Sequence, residues 1–181
     1  MEKRRYALVA YVRNPAGEFV ESLRRELHPQ LPHLPAHLTI LPPRCLQGSE
    51  QAALDVLDRI CSGEKPFEVH LGEVETFIPV TPTVYIRVDG QAPRMSELHA
   101  HLNVDGLASD EEWPYIPHLT IVKMSSPETA VEACRVARER WSAYKQSRRI
   151  TVEKLTFVRE DAENRWVDLA PVSLGRHPVS R

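Results

Sequence analysis

The stretches "HLTILPPR" at positions 37–44 and "HLTIVK" at positions 118–123 write the same motif twice, 81 residues apart. Each copy follows a proline-containing loop, and its β-branched threonine and isoleucine favour a strand. Successive side chains of a strand point to opposite faces. His37 and Thr39 therefore share one face, as His118 and Thr120 do. The leucine and isoleucine of each copy are expected to fill the core behind them.

The predicted elements around the two motifs follow one order, which is helix, motif strand, helix, strand, strand. The helices before the motifs begin near residues 17 and 93, and the helices after them near residues 49 and 127. These intervals and those of the following strands lie between 76 and 82 residues, which agrees with 81 within the error of boundaries read from sequence. We interpret the chain, residues 1–181, as a single domain with approximate repeat halves 13–90 and 91–171.

Local signals mark several element boundaries. Ser49 is a predicted N-cap, and Ser126 followed by proline is another. Gly72 lies where the apolar alternation of "FEVHLGEVETF" changes phase, so a β-bulge is expected there. Two strands, "RRITVEKLTFV" and "RWVDLAP", are predicted to close the chain, joined by the polar loop "REDAEN".

The composition is that of a soluble globular protein with a hydrophobic core. Apolar residues make up 42% of the chain and charged residues 27%, with a formal net charge of -2, so a nucleic-acid site would have to be a local basic patch. The apolar run after "MEKRR" is too short to span a membrane and lacks a cleavage site. Three cysteines without CxxC spacing favour reduced thiols in a cytoplasmic protein, and we expect a monomer.

Two imidazoles and two hydroxyls facing one groove suit phosphoryl chemistry without a metal. A neutral imidazole accepts a proton from the attacking oxygen, and a protonated one donates a proton to the leaving oxygen. The threonine hydroxyls can bond the non-bridging phosphate oxygens, where charge is spread in the transition state.

"AHLTI" and "PHLTI", in this repeated layout, resemble the paired His-x-Thr-x motifs of the two-histidine (2H) phosphoesterase superfamily, in particular its bacterial 2′-5′ RNA ligase-like proteins. The resemblance implies an α+β, bilobal, pseudo-twofold fold in which two antiparallel sheets line a central cleft and helices lie outside. It implies metal-independent opening of a 2′,3′-cyclic phosphate on an RNA terminus or small cyclic nucleotide, or 2′-5′ phosphodiester chemistry, without a cofactor. His37 and His118 would be catalytic, and Thr39 and Thr120 would bind the phosphate.

Further substrate contacts are candidates with competing interpretations. Arg44 and Lys123 each follow a motif and are either solvated charges or phosphate ligands; many 2′-5′ RNA ligase-like proteins have arginine at the place of Lys123. Tyr115, with Trp113 nearby, either packs the loop or stacks on a base. Tyr85 and Arg87 lie on the less apolar face of their strand and point either to the cleft or to solvent.

Other kinds of site are weaker. His33 and His37 lie in a proline-rich segment that disfavours a helix, and His99 and His101 diverge on a helix, so we expect no metal. Cys61 and Cys134 fall on apolar helix faces, where buried thiols are common. Two alternatives stay open: a module that binds nucleotide or RNA phosphates without turnover, and a protein-association fold with both histidines buried.

Overall fold

The computed structural model describes residues 3–89 and 92–175. Within these residues the chain forms eight strands and four helices, with a short 3₁₀ turn at Asp105–Leu107 before the fifth strand. In chain order they are β1 (Tyr6–Tyr11), α1 (Pro15–Leu27), β2 (His37–Arg44), α2 (Glu50–Cys61), β3 (Phe67–Thr76), β4 (Thr83–Asp89), α3 (Ala92–Leu102), β5 (His118–Lys123), α4 (Pro127–Ala143), β6 (Arg149–Val152), β7 (Lys154–Ala162) and β8 (Arg165–Ser173).

The strands form an antiparallel arrangement in the order β6-β3-β4-β5-β2-β1-β7-β8. Two four-stranded halves meet where β2 pairs with β5, and Leu38 opposite Leu119 is the register pair of that junction. The predicted α+β class with antiparallel strands is confirmed, and the two expected sheets are the halves of one eight-stranded sheet, joined by the motif strands. The helices cover one face, where most of the buried apolar side chains lie.

The two sheet halves do not correspond to the first and second halves of the sequence. The half that contains β2 takes β7 and β8 from the C-terminal region, whereas the half that contains β5 takes β3 and β4 from the first half of the sequence. In space β1 and β4 hold equivalent places, each next to a motif strand. The repeat boundaries 13–90 and 91–171 are a division of the sequence, and they stay a prediction.

The prediction of a single strand for "RRITVEKLTFV" is wrong. Ile150 and Val152 are buried in β6, which pairs with β3, while Leu155 and Phe157 are buried in β7, which pairs with β1 and β8. The alternation changes phase at Glu153, so the chain bends there and passes from one sheet half to the other. The predicted loop "REDAEN" is correspondingly shorter, because β7 continues to Ala162 and β8 begins at Arg165.

The predicted boundary signals are confirmed. The Ser49 side chain accepts a hydrogen bond from the Ala52 amide, and Ser126 forms a capping box with Thr129. The pairing of β3 with β4 shifts register between Leu71 and Val74, which is the bulge expected at Gly72.

Helix α1 approaches the end of β1 at Gly17. A Cβ atom added there would lie 1.8 Å from the Val12 carbonyl oxygen, a backbone atom. The Gly17 amide also donates to the N-cap side chain of Asn14, and the Val12 amide donates to the Ala36 carbonyl just before β2. Gly17 therefore lets α1 pack closely against the segment that leads to the first motif.

We expect Gly17→Ala to lower the free energy of unfolding by about 1–3 kcal/mol, because the added methyl group overpacks against backbone. In an unhindered helix the same substitution would stabilise by roughly 1 kcal/mol. Chemical denaturation measures the change. The matched control is Gly63→Ala, whose new Cβ would lie 3.6 Å from its nearest recorded neighbour, the Ile60 carbonyl oxygen. Equal stability of the two variants would contradict the close approach.

Candidate active site

The two motif strands present their histidines and threonines on one face and their aliphatic residues on the other. Leu38 and Ile40 are fully buried in the core, as are Leu119 and Ile121. The histidine and threonine of each copy are partly exposed, in the same alternation. The duplicated pattern read from the sequence is therefore present in the backbone and in the burial of both copies.

The register between β2 and β5 places the motifs diagonally. Leu38 opposite Leu119 in an antiparallel pair puts His37 across from Thr120 and Thr39 across from His118. Directly opposed Cα atoms of antiparallel strands are roughly 4.5–5.5 Å apart. The antiparallel pairing thus puts each histidine on the same side of the junction as the threonine of the other motif.

Both imidazoles are held by the backbone in the same way. His37 Nδ1 lies 2.8 Å from the Pro35 carbonyl oxygen, and His118 Nδ1 lies 2.6 Å from the Ile116 carbonyl oxygen. A carbonyl oxygen only accepts, so each Nδ1 carries the hydrogen. Within the described residues neither Nε2 atom has a hydrogen-bond partner. In the neutral rings Nε2 is therefore a free base, and in the protonated rings it is a free acid.

Burial sets the charge of the two rings. It lowers the pKa of His37 below the ordinary value of 6.5. The bond to Pro35 opposes this shift, whereas the positive charge of Arg24, and that of His118 when its ring is protonated, reinforce it. Burial also lowers the pKa of His118, opposed by the bond to Ile116. Both imidazoles are consequently neutral near pH 7 in the free protein, and a bound anion would favour their protonation.

The motif face opens into two contiguous cavities. The larger, about 570 Å³, contains His118 and Thr39 in its wall, and the smaller, about 170 Å³, contains His37 and Thr39. Thr39 and Pro43 line both, so the cavities meet at the first motif. Thr120 lines neither cavity, so the concavity lies at His37, Thr39 and His118. A concavity at both histidines does not favour the alternative in which the motifs serve only protein association.

Aromatic rings surround His118. Phe77 stacks on Tyr85 with their centroids 4.0 Å apart, and the edges of both rings meet the imidazole at 4.9 and 5.3 Å. Tyr85 is buried and its hydroxyl donates to Glu75. Tyr85 thus packs against His118. Phe77, which the sequence analysis did not single out, lies just after the end of β3 at Thr76.

The two arginine candidates are already engaged by protein groups. Arg44 is buried rather than solvated, and its guanidinium donates to Asn103 Oδ1 and the Leu107 carbonyl and lies 3.6 Å from Glu111. Arg87 is opposite His118 in the β4–β5 register and pairs with Glu75 and Asp89 at 2.6 and 2.8 Å. The interpretation of Arg44 as a surface charge is wrong.

The remaining candidate substrate contacts differ in how far they are exposed. The Tyr115 hydroxyl donates to the Thr39 carbonyl at 2.7 Å and its ring stacks on His99 at 4.1 Å, so it packs the loop against the motif strand. Trp113 is 58% exposed in the wall of the larger cavity. Lys123 is exposed at the end of β5 and lines neither cavity.

Two buried basic side chains, neither predicted as part of the site, join the repeats crosswise. Arg24 on α1 donates from Nε to the Ile121 carbonyl at 2.7 Å, and its terminal nitrogens donate to the Thr120 and Leu34 carbonyls. His99 on α3 bonds the Ile40 carbonyl at 2.7 Å. Each helix that precedes one motif thus holds the isoleucine carbonyl of the other.

The cysteines do not resemble nucleophiles in this structure. Cys61 is buried, and burial raises the pKa of its thiol to about 12. Burial also raises the pKa of Cys134, and Cys45 is exposed but lines neither cavity.

Two surveys of residues 3–89 and 92–175 complete the description. They contain no group of three or more His, Cys, Asp or Glu side chains placed to hold a metal ion. No helix among them has the length and apolar character needed to cross a bilayer.

Comparison with known proteins places the chain in a family. A sequence model of the 2′-5′ RNA ligase superfamily matches residues 12–164. The chain is 25% identical over 122 residues to "Putative phosphoesterase OB1230" of Oceanobacillus iheyensis, covering 66% of this chain and 70% of that protein. It is 29% identical over 100 residues to "Putative phosphoesterase BCAH187_A1386" of Bacillus cereus, covering 55% and 58%. The match thus spans little more than half of the Bacillus protein.

The fold is shared with Escherichia coli LigT in its apo form, with a TM-score of 0.68 at 14% identity over 97% of this chain and 100% of that one. LigT structures with phosphate and with 3′-AMP are similar as well, with TM-scores of 0.64 and 0.61 at 15% and 14% identity, each covering 97% of this chain and 100% of the LigT chain. Because the family match covers most of its length, the chain belongs to the 2′-5′ RNA ligase superfamily. The resemblance to 2H phosphoesterases is confirmed.

We expect Arg24→Met to raise the pKa of His37, since the Arg24 charge lies close enough to that ring to lower it. It should also destabilise the fold, because buried carbonyls left without a donor cost roughly 1–3 kcal/mol each. NMR titration of the His37 ring and thermal melting measure the two effects.

Two further variants separate charge from hydrogen bonding. Arg24→Lys keeps the charge but loses the forked donors, so the His37 pKa should stay near its wild-type value while the melting temperature falls. Arg25→Met, at an exposed position on the same helix, should change neither. A His37 titration unmoved in Arg24→Met would show that the two groups are not coupled.

Proposed function

We propose that this chain is a metal-independent phosphodiesterase that opens 2′,3′-cyclic phosphates of RNA ends or small nucleotides, or makes and breaks 2′-5′ phosphodiester bonds, by general acid/base catalysis. The observation that carries the proposal is the pair of imidazoles with Nδ1 fixed to a carbonyl and Nε2 free, each across from a threonine. One phosphate between them would meet two proton carriers and two hydroxyls.

The chemistry follows from this placement. One neutral imidazole takes a proton from the attacking water, and the other, protonated, gives a proton to the departing ribose oxygen; each transfer contributes roughly 10² to 10⁴ in rate. Thr39 and Thr120 donate to the non-bridging oxygens. The lowered pKa of both rings supplies the base, and the approach of an anionic phosphate raises the pKa of the ring that acts as the acid.

The comparisons support the class of ligand. LigT, which has this fold, has been crystallised with phosphate and with 3′-AMP, the second being a nucleotide with a phosphate at the ribose 3′ position. Matching relatives carry the name phosphoesterase. A small nucleotide or RNA terminus as the substrate of this chain is our inference from these names and from the geometry of the site.

The test is a panel of nucleoside 2′,3′-cyclic phosphates and cyclic-phosphate-ended oligonucleotides, assayed with excess EDTA. We expect turnover with a bell-shaped dependence on pH, because one ring must be neutral and the other protonated. His37→Ala and His118→Ala should each lower kcat by at least about 100-fold. His101→Ala, an exposed histidine paired with Glu64, is the matched control.

Two outcomes would contradict the proposal. Loss of activity with EDTA would point to a metal-dependent reaction. Calorimetric binding of nucleoside 2′- or 3′-phosphates without hydrolysis of any member of the panel would favour a module that binds the nucleotide phosphate without turnover.

A further inference from the structure

Side chains hold the part of β2 that follows its junction with β5. Within the described residues a single register pair joins the two strands. Just beyond that pair, the Tyr115 hydroxyl donates to the Thr39 carbonyl at 2.7 Å, and His99 Nδ1 lies 2.7 Å from the Ile40 carbonyl oxygen. Tyr115 and His99 therefore fix the backbone of the first motif at its threonine and its isoleucine.

One carboxylate joins the basic side chains that hold β2. Glu111, on the loop before β5, places Oε1 2.7 Å from His99 Nε2 and 3.6 Å from Arg44 Nη2. His99 and Arg44 are both buried, and Arg44 Nε donates to the Pro42 carbonyl at 2.9 Å. Buried charge is costly without a partner of opposite charge, so Glu111 stabilises both basic side chains against β2.

The contact between His99 and Glu111 contains a proton. The Ile40 carbonyl can only accept, so His99 Nδ1 carries a hydrogen. In a neutral ring Nε2 would then be bare, and its lone pair would face an ionised carboxylate at 2.7 Å. A proton therefore lies between Nε2 and Oε1. The Tyr115 ring, whose centroid is 4.1 Å away and whose plane is within 2° of parallel, fixes the orientation of the His99 ring.

The second motif is held without a carboxylate. Arg24 donates to the Ile121 and Thr120 carbonyls, and an arginine keeps all its donors because it is not deprotonated in proteins. His99 has the corresponding place toward the first motif, but its Nε2 bonds Glu111. The first motif thus depends on a residue of the loop before β5.

We propose that Glu111 is a positioning residue, which acts through His99 and the stacked Tyr115 to hold Thr39 in place. This inference rests on the proposed function, in which Thr39 binds the phosphate. Thr39 lines both cavities, so its displacement would alter the site at the point where the cavities meet. Misplacing a group in a site by about 1 Å costs roughly 100-fold in rate.

The functional test compares two variants of Glu111 on adenosine 2′,3′-cyclic phosphate. Glu111→Ala leaves His99 Nε2 without its partner, so kcat/KM should fall roughly 10- to 100-fold. Glu111→Gln should stay within about 5-fold of wild type, because its amide can donate to a neutral His99 ring and accept from Arg44. Glu97→Ala, at an exposed position of α3 outside both cavities, should leave kcat/KM unchanged and is the control.

Proton NMR of the His99 ring gives a readout that does not depend on turnover. The signal of the hydrogen bond between Nε2 and Oε1 should be present in the wild type and lost in Glu111→Ala. Glu112→Ala removes the same charge from the same cavity wall at an exposed position, and it should keep the signal. Absence of the signal from the wild type would overturn the link between Glu111 and His99.

A double variant tests whether Glu111 acts through His99. In a His99→Gln background, Glu111→Ala should lower kcat/KM by a clearly smaller factor than in the wild type, because its partner is already absent. Equal factors in the two backgrounds would overturn the proposal.

A milder variant covers the case in which Glu111→Ala does not fold, which its melting curve would show. Tyr115→Phe loses only the hydroxyl bonded to the Thr39 carbonyl, and it should lower kcat/KM by about 3- to 30-fold. Unchanged kcat/KM in this variant would also overturn the proposal.

The failures are distinguishable. If the wild-type protein hydrolyses no cyclic phosphate, the proposed function is wrong and the role of Glu111 falls with it. If the wild type is active and a folded Glu111→Ala is equally active, only the role of Glu111 is wrong. A loss in Glu111→Gln as large as that in Glu111→Ala would show that the negative charge itself is required, which also contradicts a positioning role.

Discussion

The pairing of Leu38 with Leu119 is the constraint on which the site depends. It is the register pair at which two four-stranded halves meet, and both side chains are fully buried. Because the period of a strand is two, burying these leucines forces the neighbouring histidines and threonines onto the opposite face. A slip of one residue in either strand would exchange the polar and aliphatic sets, so the stability of the core and the geometry of the site are the same requirement.

Backbone carbonyls fix both motif histidines and join the two repeats across this junction. Each motif histidine is fixed by the carbonyl two residues before it, and Arg24 and His99 hold the isoleucine carbonyls crosswise. The Arg24 guanidinium bonds neutral acceptors, so its charge is not cancelled by a bonded carboxylate and acts on the His37 ring. Burial is the main cause of the lowered pKa of His37, and the Arg24 contacts that fix the positions of the strands add to it.

The sequence predicts local features well and distant ones poorly. The motif alternation, the caps at Ser49 and Ser126 and the bulge at Gly72 follow from side-chain periodicity and hydrogen bonding within a few residues. Arg24 could not be recognised, because its carbonyl partners on β5 lie 96 and 97 positions away and carbonyls carry no sequence signal. The split between β6 and β7 was missed, although Ile150 and Val152 are out of phase with Leu155 and Phe157, and the structure shows that the two strands join different sheet halves.

The two motif copies hold corresponding positions in the sheet, but different residues line the cavity next to each copy. The His-x-Thr units, their carbonyl anchors and their crosswise bonds are equivalent in the two repeats. The surroundings are not: the loop at 109–116 supplies acidic and aromatic residues to one side, whereas β1, β7 and β8 line the other with Val9, Val158 and Trp166. The duplicated strands fix where the two histidines and the two threonines lie relative to one another. The connecting segments, which tolerate change more readily than the strands, determine what else fits beside each histidine.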